Sequence, residues 1–313
     1  MSALLVMCGP TAVGKTMVGA RIAELLQGEV ISADSMQVYR ELEIGTDKPP
    51  AELRARVPHH MVDVVSISET YSAARYEREA GEIVNRLLSS DRLPVVVGGS
   101  GLYIRILLQG IFPAPPASAS IRDRLRREAA DQGTEIIYKK LRMVDPDYAR
   151  VAARTDLRRI VRALEVFELT GVPFSEWHQR HRAARQPRDA HMLGLMRPRD
   201  DLYRRIEQRV DEMFARGLVG EVRRLIEQGK AQFLKRIRPL GYIEVIEHLE
   251  GNLSLDEAIN IIKQNSRRYA KRQMTWFRKE DVRWVQVEPD DDADAVVEKA
   301  ISMLPKSFRA RLG

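Results

Sequence analysis

A chain of 313 residues with 44% hydrophobic and 30% charged content describes a soluble globular protein of about two domains. No apolar run reaches the ~20 residues of a membrane helix, the N-terminal stretch lacks the basic region of a signal peptide, and the one cysteine, Cys8, excludes an internal disulfide. The net charge of +7 is uneven: residues 1–110 hold 11 Lys/Arg against 13 Asp/Glu, and the remainder 40 against 31, which suggests a polyanionic partner for the second part.

The first element is an apolar strand over residues 3–8, with Cys8 as a small core residue. It runs into Gly9, Pro10, Thr11, Ala12, Val13, Gly14, Lys15 and Thr16, the G-x-x-x-x-G-K-T of a P-loop, the nucleotide-binding loop common in ATP-binding proteins. A helix over residues 17–27 follows, with Val18, Ile22, Leu25 and Leu26 on one face. Glycines let the backbone approach a phosphate, and amides at the helix start bind its oxygens. Lys15 adds a point charge and Thr16 a hydroxyl for Mg2+.

A second strand, 30–33, is followed at once by Asp34, then Ser35, Met36, Gln37, Val38 and Tyr39. In an open parallel sheet the C-terminal strand ends face the ligand crevice, so Asp34 and the P-loop are predicted to share one site. The carboxylate suits a general base, a magnesium-side acid or a helix cap. Residues 45–49 form a polar loop, and His59, His60 and Asp63 are read as a structural pair rather than metal ligands. A third strand, 94–97, ends in Gly98-Gly99-Ser100-Gly101, where ordinary P-loop ATPases place an acid. Ser100 can serve the phosphates or cap the next helix.

The Pro/Ala/Ser-rich segment 112–120 marks a boundary, and 113–190 reads as a helical, arginine-rich insertion containing Arg122, Arg158, Arg159 and Arg162. Strands at 191–196 and 283–287 resume the core, giving an α/β P-loop NTPase-like parallel sheet over 1–112 and 191–313. Asp200 or Asp201 is expected to cap a helix carrying Arg205 and Arg209 on one face; Ser254 and Glu257 make a capping box for a helix over 255–278. Its expected apolar stripe is Ala258, Ile262, Tyr269 and Trp276, with Lys263, Arg267, Arg268, Lys271 and Arg272 on another face. Charges interleaved with aromatics and amides can hold a nucleic-acid backbone, although Trp276 and Phe277 could equally be core.

Together these segments resemble the tRNA dimethylallyltransferase family: Gly-Pro-Thr-Ala-x-Gly-Lys-Thr at 9–16, Asp-Ser-x-Gln-Val-Tyr at 34–39, Gly-Thr-x-Lys-Pro at 45–49 and His-His-x-x-Asp at 59–63. The match continues with Gly-Gly-Ser-Gly-Leu-Tyr at 98–103, Arg-Ile-x-x-Arg-Val at 205–210, Leu-Gly-Tyr at 240–242 and Lys-Arg-Gln-x-Thr-Trp-Phe-Arg at 271–278. Ser100 stands where the family more often has threonine, keeping the hydroxyl. The zinc-finger tail of eukaryotic relatives is absent, which favours the bacterial type.

The resemblance implies transfer of a dimethylallyl group from dimethylallyl diphosphate to N6 of adenosine 37 in tRNA, with Mg2+. It makes Asp34 the base, with Lys15, Thr16 and Arg205 or Arg209 at the diphosphate, and Ser100 orienting the diphosphate or the amine. Asp34, Ser35, Met36, Gln37 and Ser100 would meet the extruded adenine, with Gln37 reading its edge. Further tRNA contacts would be Arg122, Arg158, Arg159, Ile160, Val161, Arg162, Arg238, Pro239, Leu240, Gly241, Tyr242 and Ile243. Lys271, Arg272, Gln273, Met274, Thr275, Trp276, Phe277 and Arg278 complete that set, with the insertion helping to clamp the anticodon stem-loop. A cytoplasmic monomer is expected. Alternatives are transfer to free adenine nucleotides, which need no such basic surface, a small-molecule kinase, and a non-catalytic RNA-binding protein.

Overall fold

A computed structural model describes residues 3–112, 115–184 and 186–312. Pro113 and Ala114 of the predicted boundary, and Arg185 of the predicted insertion, lie outside the described residues. Six parallel strands build one sheet: β1 (Leu4–Cys8), β2 (Gly28–Ser32), β3 (His59–His60), β4 (Leu93–Gly98), β5 (Ala190–Met196) and β6 (Arg283–Gln286). Their order is β3-β2-β4-β1-β5-β6. All residues of β1 and β4 are buried, as expected when helices cover both faces of a parallel sheet.

Five of the strands coincide with the apolar runs. The sixth, β3, is a two-residue edge strand of histidines, too short and polar to carry a periodic signal. His60 Nε2 lies 2.7 Å from Glu29 Oε2 on the neighbouring β2, so the pair is structural. Cys8 is fully buried, and burial pushes its thiol up to about 12.

The strand order decides where the chemistry collects. β2, β4 and β1 are consecutive neighbours, so the segments leaving their C-terminal ends emerge side by side, about 4.8 Å apart per strand. These segments carry Asp34, Ser100 and the P-loop. Gly98 shows how close they come: a Cβ there would fall 2.2 Å from the Ala33 carbonyl oxygen.

Contacts divide the chain into two compact units, one ending at Leu108 and resuming at Arg188, the other spanning Gln109–Pro187. The second is all helix among its described residues: Ala119–Gln132, Thr134–Val144, Pro146–Val151, Leu157–Thr170 and Phe174–Ala184. Leu125, Ile137, Leu141, Ile160, Leu164 and Val166 form its own core.

In the first unit, helix Arg199–Ala215 is capped by Pro198, not by either aspartate. Asp200 and Asp201 instead occupy its first turn, where the helix dipole favours them. The Ser254–Glu257 capping box forms as expected, at 3.2 and 2.8 Å, and starts helix Leu255–Phe277. Its buried stripe is Ala258, Ile262, Ser266, Ala270, Gln273 and Phe277. The predicted stripe agrees over its first half, then drifts onto Tyr269 and Trp276, which are half-buried. Polar residues at Ser266 and Gln273 hid the true stripe.

Candidate active site

The P-loop turns as its glycines allow. Gly9 has φ of 141°, and a Cβ there would lie 2.7 Å from the Leu195 carbonyl oxygen of β5. Gly14 is left-handed and starts helix Lys15–Leu25, whose first amides have no partner within the helix. The result is a nest of N–H groups at a positive helix end.

Lys15 folds over this nest, its Nζ donating to the Pro10 carbonyl at 2.6 Å. Burial of the ammonium and the nearby Arg209 guanidinium push its pKa down to about 8, against the opposing pull of Asp34. Asp34 is therefore within electrostatic reach of the lysine, as the strand order predicts.

Helix Arg199–Ala215 brings both predicted arginines to the loop. Arg209 Nη1 donates to the Thr11 hydroxyl, and Arg205 Nε to the Ala12 carbonyl at 3.3 Å. Arg209 is the one whose charge reaches Lys15, and Asp47 holds it at 3.3 Å. Arg197 Nε adds a contact to the Val13 carbonyl at 3.4 Å. The sequence marks 45–49 only as a polar loop and gives no local signal for Arg197 or for the Asp47 carboxylate. A buried Glu221 holds that loop by accepting the amides of Glu43 and Ile44 and the Tyr242 hydroxyl.

Asp34 is half-buried and oriented by a local turn. Its Oδ1 accepts the Met36 amide at 2.8 Å and the Gln37 amide at 3.4 Å, leaving Oδ2 without a hydrogen-bond partner among the described residues. Tyr76 and Tyr103, with rings stacked 4.0 Å apart, and Tyr269 lie near enough for its charge to add to the burial that raises all three hydroxyls. Ser100 donates its amide to the Ala33 carbonyl at 3.0 Å, and its hydroxyl makes no hydrogen bond among the described residues.

No group of three or more His, Cys, Asp or Glu among the described residues could hold a metal ion. A divalent cation relying on protein ligands alone does not fit. Thr16, half-buried at the helix start, has a hydroxyl without a partner among the described residues, which fits Mg2+ shared with phosphate oxygens and water.

Several predicted RNA contacts are corrected by burial. Gln37 is buried, its Oε1 accepting the Ser32 hydroxyl at 2.9 Å and its Nε2 donating to the Thr46 and Asp47 carbonyls at 3.3 and 3.2 Å, so no edge of its amide is free to read a base. Ile160, Val161, Pro239, Gly241, Tyr242, Gln273 and Phe277 are buried as well. Ile160 and Val161 belong to the helical core, and Tyr242 packs under the Gly45 loop. Phe277 is fully buried, so Phe277→Ala is expected to cost about 3–5 kcal/mol in urea unfolding rather than to weaken RNA binding.

Other predicted contacts stay at the surface. Lys271, Arg272, Thr275 and Arg278 are exposed on the last turns of the long helix, as is Arg238. Lys263 and Arg267 of the predicted basic face are committed to Asp211 and Glu207. Within the helical unit, Arg122 and Arg162 converge on the buried Glu165 at 2.9 and 2.6 Å. Burial opposes that charge, but both guanidiniums and the Ser118 amide hold its carboxyl below the usual range. Arg159 pairs with Asp156 at 3.3 Å, and Arg158 is exposed without a partner among the described residues.

A nest of helix-start amides, the cations Lys15, Arg205 and Arg209 beside it, and Asp34 at the same sheet edge make a P-loop-type site. The IPP transferase family model matches residues 37–280, and the chain belongs to that family. A tRNA dimethylallyltransferase of Geobacter sulfurreducens is 46% identical over 94% of this chain and 95% of its own length. A Pelotomaculum thermopropionicum protein of the same name is 43% identical over 95% and 94%. Among solved structures, the tRNA isopentenylpyrophosphate transferase of Bacillus halodurans is 36% identical with a TM-score of 0.72, covering 99% of this chain and 98% of that one. A eukaryotic dimethylallyltransferase acting on tRNA is 27% identical with a TM-score of 0.85, covering 100% and 81%.

Proposed function

We propose that this protein transfers a dimethylallyl group from dimethylallyl diphosphate to N6 of adenosine 37, just 3′ of the anticodon in tRNA, releasing diphosphate. The observation that carries the reading is Asp34. Its Oδ1 is fixed by two amides and its Oδ2 has no hydrogen-bond partner among the described residues, at the same sheet edge as the nest.

The adenine amine is a poor nucleophile because its lone pair is delocalised into the ring. Asp34 Oδ2 accepts a hydrogen bond from the N6 amine and takes its proton as nitrogen bonds to the allylic carbon. The carbon–oxygen bond to diphosphate breaks in the same process. The nest amides, Lys15 and Arg209 stabilise the charge that grows on the leaving oxygens, with Arg205 at the rim. Thr16 would hold Mg2+, which supplies charge neutralisation on the diphosphate. Ser100, with an uncommitted hydroxyl, orients the amine or the diphosphate. The adenine must leave its stack to reach Asp34.

Incubating the protein with radiolabelled dimethylallyl diphosphate, undermodified tRNA and AMP tests the reading. Label is expected in the anticodon stem-loop; label in AMP alone would overturn the choice of RNA as acceptor. Replacing both Lys271 and Arg272 with alanine is expected to weaken tRNA binding and flatten the log–log salt slope by about 1–2. An unchanged slope would remove that surface from the RNA interface.

A further inference from the structure

The buried Gln273 spends both ends of its amide on two loops distant in sequence. Its Oε1 accepts the Thr11 backbone N–H at 2.8 Å, and its Nε2 donates to the Gly99 carbonyl at 3.0 Å. Thr11 belongs to the phosphate nest, and Gly99 precedes Ser100. The fit leaves no slack: a Cβ on Gly99 would fall 2.0 Å from Gln273 Nε2. One turn on, Trp276 packs against the same loop, where a Cβ on Gly101 would meet the indole at 2.3 Å. Ser100 thus sits between two glycines, each pressed by the long helix. An apolar residue here would leave the Thr11 N–H and the Gly99 carbonyl without this partner, so one side chain satisfies and joins two backbone segments far apart in sequence.

We infer that Gln273 is a positioning residue that sets the spacing between the diphosphate nest and the Ser100 hydroxyl. It contacts neither substrate, and it acts by tying the P-loop backbone to the loop after β4. Two groups that must meet one transition state from different strands need such a tie, because small misplacements cost large factors in rate. The inference rests on the transfer reading above.

The test is Gln273→Met, which keeps length and apolar packing and removes both hydrogen bonds. The single-turnover rate constant at saturating substrates, which does not depend on the fraction of folded enzyme, is expected to fall about tenfold or more. The dissociation constants for inorganic diphosphate and for the anticodon stem-loop are expected to stay within about threefold. Gln273→Glu retains the acceptor for Thr11 and loses the donor to Gly99, and should show the same loss should the methionine variant not fold. In a double-mutant cycle, Gln273→Met combined with Ser100→Ala should lose little more than the worse single variant. A wild-type rate constant in the Gln273 variants, or losses that simply multiply in the cycle, would overturn the positioning role. Failure of the unmodified chain to transfer any label would instead strike the underlying reading.

Discussion

Asp34→Asn is expected to lower the transfer rate by about 100- to 10,000-fold, the range for losing a general base. Asparagine can keep the local turn, since its side-chain oxygen can accept the Met36 and Gln37 amides as Asp34 Oδ1 does. What it lacks is the second carboxylate oxygen able to take a proton. Binding of the anticodon stem-loop and of inorganic diphosphate should therefore survive. Single-turnover transfer with filter binding on the same protein separates the two effects. Asparagine at the wild-type rate would remove Asp34 as the base.

The second large effect lies at Lys15, where Lys15→Met is expected to lower transfer about 100- to 1,000-fold by removing a cation from the leaving group. Its pH dependence has a definite sign. Without ligand, burial and Arg209 place the Lys15 pKa near about 8; bound diphosphate favours the ammonium and raises it. Below pH 8 the lysine is charged in both states and contributes fully to binding. Above that, the free enzyme has lost the proton and must regain it on binding, so affinity falls, at most tenfold per pH unit. Diphosphate titrates in the same range, so the informative quantity is the difference between wild type and Lys15→Met in calorimetry from pH 6 to 10. Parallel curves would show that Lys15 does not titrate there.

Much of the site could be read before any coordinates. The P-loop is a local motif, because a tight turn and a helix start need particular residues at adjacent positions. Asp34 and Ser100 followed from one rule, that loops at the C-terminal strand ends share a crevice. The inner strands were apolar enough to stand out, whereas β3 offered two histidines whose role depends on Glu29 of a neighbouring strand. The KRQxTWFR motif, residues 271–278, mixes charges, an amide and aromatics, and its sequence leaves open whether Trp276 and Phe277 are surface or core. In the fold, Lys271, Arg272 and Arg278 face water, while Gln273 and Phe277 face inward.

The amino-acid sequence alone determined the sheet class, the P-loop, the place of Asp34 at a strand end and the family, because each depends on neighbours within a few residues or on an ordered set of motifs. Only the tertiary structure decided that Arg209 reaches the P-loop, that Asp47 pairs with it, and that the side-chain amides of Gln37 and Gln273 are committed inside the fold. The reason is distance along the chain. Thr11 and Gln273 are 262 residues apart, and no local pattern of polarity says which face of a helix will meet a partner that far away. Burial and pairing are properties of that meeting, so they exist only once the chain has closed on itself.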